Sequence, residues 1–136
     1  MAFLVHRNLS RDYYPFEFIL GTDAEAYTRG EILTLASGRL TKAGVDSTGT
    51  QKFLANNAQA AEATATTPIS VMRLFDDVQY VTANPGSLTA ADIGNVYTLN
   101  TDADGITTTT TNGVFELAEV FTLNDQNFVS GYLKVD

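Results

Sequence analysis

The chain contains no cysteine, no tryptophan and a single histidine among its 136 residues. The lack of cysteine excludes disulfides, thiolate metal sites and cysteine nucleophiles. The one histidine, His6, lies near the N-terminus, whereas a catalytic triad or a histidine metal cluster needs several rigidly supported side chains. The neighbouring carboxylates Asp76 and Asp77 would point to opposite faces of a strand, so they do not form an acid/base pair. We therefore expect no catalytic residues, no cofactor and no enzyme activity.

Long apolar runs are also lacking. The apolar residues 1–5 are followed directly by His6 and Arg7. This run is shorter than the roughly 7–15 apolar residues of a secretory signal. No other run approaches the length of a membrane span. We therefore expect neither secretion nor insertion into a membrane.

Positive charge is scarce, because eight Lys and Arg residues stand against 16 Asp and Glu residues, for a formal net charge of -8. Residues 1–68 carry six basic and seven acidic residues, a net of -1. Residues 69–136 carry two basic and nine acidic residues, a net of -7. Such a chain repels nucleic-acid phosphates and anionic membranes, so we expect neither as a partner. It favours basic protein partners.

Strand-forming residues are abundant, notably Thr, Val, Ile, Tyr and Phe. Apolar and aromatic residues alternate in residues 14–20, and Ser37-Gly38 separates two short runs like a hairpin turn. Residues 69–82 are predicted to form one long strand, with a bend or bulge at Asp76-Asp77. About eight strands follow from such runs. The sequence therefore predicts an all-β fold, a small antiparallel β-sandwich or barrel with short helical turns. We assign it to a single domain, residues 14–136.

The C-terminal part has the clearest pattern. Residues 106–111 are predicted to form a strand, and Asn112-Gly113 a hairpin turn into a second strand, Val114 to Leu123. One face of that second strand carries four large apolar side chains, Phe115, Leu117, Phe121 and Leu123. Its other face carries Val114, Ala118 and Val120. Since both faces need cover, we expect a homo-oligomer.

Two further segments have simpler predictions. Thr89-Ala90-Ala91-Asp92 is typical of a helix cap, and Gly94 follows so soon that only one helical turn is expected. The stretch 55–67 is rich in Ala and Thr and has no amphipathic stripe. It fits a surface loop or a single helical turn equally well.

Residues 1–13 read as an N-terminal arm, since their apolar residues show no sustained period. We expect the arm to be poorly fixed in the free protein and to become ordered on a neighbouring protein. Its candidate contacts are apolar and basic side chains: Phe3, Leu4, Val5, Arg7, Leu9 and Arg11. The alternative is that residues 3–5 form an edge strand of the protein's own sheet.

Residues 100–105 resemble the first half of an EF-hand calcium loop, with oxygen donors at Asn100, Asp102 and Asp104 and a glycine at Gly105. The second half fails, because Thr111 stands where a bidentate Glu belongs. Asp, Asn and Gly are also common in plain β-turns. We therefore expect no metal site here.

Several segments resemble tailed-bacteriophage head decoration proteins, the accessory proteins that cement a capsid. The resemblance spans roughly residues 28–135, and its motifs consist mainly of turn glycines and alternating apolar residues. The Ala/Thr-rich stretch 55–67 departs from the family. The segments that carry it are Gly30 to Ala43, Pro68 to Leu74, Ile93 to Leu99, Gly105 to Thr107 and Val114 to Leu117.

The resemblance implies a compact, β-tulip-like domain, commonly a homotrimer, that binds the major capsid protein and stabilises the outer surface of the virion. Such a protein would be made in the host cytoplasm. The family brings no catalytic residues. The alternative function is a sugar- or calcium-binding β module of a phage fibre or adhesin, with Tyr13, Tyr14, Tyr80, Tyr97 or Tyr132 as the sugar platform.

Overall fold

The computed structural model describes residues 2–8, 16–45 and 48–134, and these form ten β-strands and one 3-10 turn. The 3-10 turn covers Ala90–Asp92. The strands are β1 Leu4–Asn8, β2 Phe16–Leu20, β3 Ile32–Ala36, β4 Arg39–Lys42, β5 Lys52–Ala55, β6 Pro68–Arg73, β7 Val78–Ala83, β8 Val96–Tyr97, β9 Phe115–Leu123 and β10 Gln126–Leu133.

The strands form two antiparallel sheets of five strands that pack against each other. Sheet A has the order β1-β7-β10-β9-β8, and sheet B the order β2-β6-β5-β3-β4. Sheet B curls, and a parallel bridge between Gly21 and Leu40 brings the chain just after β2 to β4. Neither sheet of the described chain closes into a barrel. The prediction of an all-β sandwich is confirmed.

The centre of sheet B is buried on both faces. A large apolar cluster lies between the sheets and includes Ile32 and Leu54, which are at most 4% exposed. A second cluster lies on the other face of sheet B and includes Leu33, Phe53 and Tyr27. All four residues of β5 are buried; Leu54 belongs to the first cluster, and Phe53 and Ala55 belong to the second. Burial of apolar area on both faces explains why β3 and β5 are nearly continuously apolar.

The Ala/Thr-rich stretch forms an ordered loop without a helical turn, and it covers the second apolar cluster. The backbone of Gln59 pairs with that of Tyr27, with both N–H to O distances at 2.9 Å. The Glu62 carboxylate accepts hydrogen bonds from the backbone N–H groups of Thr66 and Thr67, both 3.1 Å. These backbone donors, Thr67 foremost, lower the pKa of Glu62. The one carboxylate of this stretch therefore holds the end of the loop together.

Two tight turns follow the residue preferences of hairpins. Ser37 and Gly38, between β3 and β4, both have positive φ, 52° and 80°. Asn124 and Asp125, between β9 and β10, also have positive φ, 51° and 61°. Such paired left-handed conformations match the twist of the flanking strands. The hairpin predicted at Ser37-Gly38 is confirmed.

The prediction of one long strand over residues 69–82 is wrong. The chain turns at Asp76 and Asp77, so β6 lies in sheet B and β7 in sheet A. A turn here carries the chain from one sheet to the other, whereas a bulge would keep it in one ladder. The helical turn predicted after Thr89 is confirmed, and Asp92 completes its capping box.

The strand predicted over residues 106–111 is also absent, apart from a single bridge between Leu99 and Ile106. Asn112-Gly113 is a turn, but it does not join two paired strands. Instead β9 pairs with β8, in the register Val96 with Glu116. A Cβ on Gly113 would stand 2.2 Å from the Val96 carbonyl oxygen, so the close approach of the two chains requires the glycine.

The N-terminal residues do not form a separate arm as far as the structure describes them. Leu4–Asn8 is the edge strand of sheet A and pairs with β7. Phe3 is 0% exposed, its N–H bonds the Gly30 carbonyl at 2.9 Å, and its ring lies 5.9 Å from that of Phe115. The expectation of a poorly fixed arm is therefore wrong for residues 3–8, because Phe3 is part of the core. Residues 9–13 lie outside the described residues.

Candidate protein-binding surface

A β-bulge in β9 places part of its apolar residues on the outer face of sheet A. The register against β10 shifts between Ser130 and Gly131, which leaves Ala118 as the extra residue in β9. A bulge reverses the side-chain alternation beyond it. Residues before the bulge, such as Leu117, are therefore buried between the sheets, whereas Phe121 lies on the outer face.

An apolar groove of about 260 Å³ results on this outer face. Phe121 and Phe128 lie opposite each other on β9 and β10, with ring centroids 5.8 Å apart and an interplanar angle of 28°. The other residues that line the groove are Leu4 of β1, Val81 of β7 and Leu123 of β9. Leu4 and Leu123 are 49% and 59% exposed. We call these five residues the outer groove. A contiguous apolar surface of this kind is typical of sites that bind proteins.

The half of the chain that supplies most of sheet A is acidic. Four of the five strands of sheet A come from residues 69–136, which carry the net charge of -7. The two basic residues of that half are paired: Lys134 Nζ lies 3.4 Å from Glu116, and Arg73 Nε lies 3.0 Å from Glu17. Four of the five outer-groove residues therefore belong to the acidic half of the chain, which favours a partner with basic residues around an apolar anchor.

A second apolar surface lies on sheet B, at the edge strand β2. Phe16 and Phe18 point to the same face and are 63% and 71% exposed. Glu17 points to the other face, where its carboxylate makes two hydrogen bonds with the Arg73 guanidinium, at 3.0 and 3.1 Å. This hydrogen bonding raises the pKa of Arg73. The period of two in this segment was read correctly as a strand, but its aromatic face is exposed.

The predicted arm contacts are distributed over different environments. Phe3 is in the core and is not available to a partner, whereas Leu4 lines the outer groove. Val5 is half-buried against the cluster between the sheets. Arg7 belongs to β1, and Leu9 and Arg11 lie outside the described residues. Of the three whose side chains the structure describes, Phe3, Leu4 and Val5, it is Leu4 that lies on a candidate binding surface.

The calcium-like segment forms a self-contained turn. Asn100 Nδ2 donates to the Asp104 carboxylate at 2.8 Å, and the Asp104 N–H donates to Asn100 Oδ1 at 3.1 Å. Burial raises the pKa of Asp104, but hydrogen bonds led by that from Asn100 outweigh it and leave the pKa lowered. Asp102 is exposed. The Ala103 carbonyl accepts the Ile32 N–H at 2.7 Å, so the turn is anchored to β3.

The predicted sugar platform is not assembled from the tyrosines that the structure describes. Tyr80 and Tyr97 are buried, at 2% and 3% exposure. Tyr132 is half-buried, and its hydroxyl accepts a hydrogen bond from Gln79 at 2.9 Å. Tyr13 and Tyr14 lie outside the described residues.

Sequence reasoning missed the outer groove. It placed Phe121 and Leu123 on the same face as Phe115 and Leu117, as an uninterrupted strand would. The two-sided apolar character of the strand was nevertheless visible, and it was the signal that something beyond the core has to cover one face.

The chain matches no protein family, no curated protein and no solved structure. No helix of the described chain is long and apolar enough to cross a membrane. Within residues 2–8, 16–45 and 48–134, no three His, Cys, Asp or Glu side chains are grouped so as to hold a metal ion.

Proposed function

We propose that this chain is a structural protein that binds the major capsid protein on the outside of a tailed-phage head and stabilises the head. The outer groove is the observation that carries the proposal. The sequence resemblance gives the kind of partner, and the groove gives a surface through which such a partner can be held.

The groove suits attachment to a larger protein surface. It is open to solvent, with Leu4 and Leu123 about half exposed, and its stacked Phe121 and Phe128 are the kind of rigid aromatic side chains that anchor interfaces. Covering its apolar surface contributes roughly 25 cal/mol per Å² before the costs of association. One such contact is weak by itself. Many copies bound to one capsid lattice would together hold neighbouring capsid subunits in place.

Charge supports the same partner class. The acidic half of the chain, which supplies four of the five strands of sheet A, attracts a basic patch on the capsid exterior and disfavours contact between two copies through this sheet. Attachment should therefore weaken as salt is raised, because exposed charges are screened within about 8 Å at physiological ionic strength. The homotrimer that the resemblance implies stays a prediction of the sequence.

Cosedimentation with tailed-phage heads that lack their own decoration protein tests the proposal. We expect the wild-type chain to pellet with such heads, and Phe128→Ser to lose most of this binding. The matched control is Leu35→Ser, which removes an exposed apolar side chain, 43% exposed, from β3 of sheet B and not from the groove on sheet A. Circular dichroism verifies that both variants are folded.

Equal binding by Phe128→Ser and by the control would exclude the outer groove as the attachment surface. A rise in melting temperature with calcium or with one sugar of a panel, and no binding to any head, would favour the sugar- or calcium-binding alternative instead.

A further inference from the structure

We infer that the edge strand β2 is a contact site for a second copy of this chain, which pairs with it antiparallel about a twofold axis at Glu17. The inference goes beyond the proposed function, since it uses sheet B and not the outer groove of sheet A. It rests on three features of β2: an open edge, a self-complementary sequence and a neutralised charge.

The outer edge of β2 is open. On one side β2 pairs with β6 through all five of its residues. On the other side, among the residues that the structure describes, no strand pairs with Phe16–Leu20, and the first bridge is the one from Gly21 to Leu40. An open edge presents unpaired N–H and C=O groups to another strand.

The sequence at this edge is symmetric about Glu17. Antiparallel pairing of two copies with Glu17 opposite its own symmetry mate places Phe16 opposite Phe18 of the second copy, and the reverse. Aromatic residues directly opposite each other are among the favourable cross-strand pairs. All four rings then lie on one face, where Phe16 and Phe18 are 63% and 71% exposed in the single chain.

The charge of Glu17 would oppose this pairing if it were free, because like charges directly opposite each other are destabilising. The bidentate contact with Arg73 neutralises it within each copy. Residues 1–68, which contain β2, have a net charge of only -1, against -7 for residues 69–136. Two copies that meet through β2 therefore avoid their most acidic regions, whereas two copies that meet through the outer grooves would not.

The contact is small. Four phenylalanine side chains of about 150–250 Å² each, roughly two-thirds exposed, bury on the order of 500 Å². Stable interfaces bury about 1,200–2,000 Å², so we expect a weak dimer with a Kd on the order of 0.1 mM. Copies held side by side on a lattice would meet at a far higher effective concentration.

Analytical ultracentrifugation over a concentration series up to about five times that Kd tests the inference. We expect a monomer–dimer equilibrium for the wild-type chain, a Kd at least about ten-fold higher for Phe18→Ser, and no change for the control Leu35→Ser. A monomer throughout the series, or self-association that Phe18→Ser leaves unchanged, overturns the inference. A trimer that Phe18→Ser does not weaken would also overturn the inference, and it would favour the homotrimer that the resemblance implies.

A second readout fixes the register. Because the chain has no cysteine, Glu17→Cys introduces a single thiol at the twofold axis, and Leu35→Cys a single thiol elsewhere on sheet B. Under mild oxidation we expect covalent dimers to form at least about ten-fold faster for Glu17→Cys. Equal rates for the two variants would rule out the proposed register.

Discussion

The substitution Phe3→Ala tests whether the N-terminal segment belongs to the core. Phe3 is 0% exposed and packs its ring against Phe115 at 5.9 Å. Its N–H also bonds the Gly30 carbonyl at 2.9 Å, which ties the start of β1 to the chain before β3. The substitution leaves that backbone bond in place and removes only the ring, so its effect reports on packing.

The expected loss is about 3 kcal/mol of unfolding free energy, the low end of the range for Phe→Ala in a core. The low end applies because β1 is an edge strand and can relax into part of the space left by Phe3. For a domain of this size, such a loss lowers the melting temperature by about 10 °C. Leu4→Ala is the matched control. Leu4 is the next residue and is 49% exposed, so we expect a loss below about 1 kcal/mol.

Urea unfolding followed by circular dichroism measures both variants, with the slope of the transition as a check that the unfolded states are alike. A truncation that starts at Tyr14 extends the test, since it removes β1 together with Phe3. A loss of less than about 0.5 kcal/mol for Phe3→Ala, with a truncated chain as stable as the full one, would refute the placement of Phe3 in the core and restore the arm hypothesis.

Three other predictions concern stability. Because the pKa of Glu62 is lowered in the folded chain, its carboxylate stabilises the fold at pH values above the ordinary Glu pKa. This stabilisation is lost as the pH falls through the lowered pKa, so the melting temperatures of wild type and Glu62→Gln should converge in acid. Lys42→Met removes the cation 3.2 Å from the buried Glu31 and should cost about 1–3 kcal/mol in urea unfolding, less when Glu31→Gln is added. Gly131→Ala places a Cβ 2.1 Å from the Glu116 carbonyl oxygen and should cost at least about 2 kcal/mol by the same assay.

The sequence was most informative where one local rule decides the structure. The period of two in residues 16–20 and the left-handed preference of Gly38 identify β2 and the β3–β4 hairpin without any knowledge of the rest of the chain. Asp92, three residues after Thr89, likewise identifies the 3-10 turn. Each of these features is stabilised by residues within a few positions of one another.

The sequence was misleading where residues far along the chain decide the local structure. Asn112-Gly113 has the chemistry of a hairpin turn, but β8 supplies the partner of β9 and leaves residues 107–111 outside the sheets. Nothing local to Ala118 marks it as a bulge, because the bulge is set by the register of β10, and the outer groove depends on it. Whether residues 3–5 form an edge strand could not be decided from the sequence for the same reason, because the strand that pairs with β1 is β7, about 70 residues later.

That pairing of β1 with β7 has a consequence during synthesis. Sheet B is built from one continuous stretch of chain, β2 to β6, whereas sheet A needs the first strand and the last four. At about 5–20 residues per second, the ribosome takes roughly 4–15 s to reach the end of β7 after it has made β1. For that interval Phe3 has no core to enter, and the apolar residues around it stay accessible to chaperones until the partner strand has left the exit tunnel.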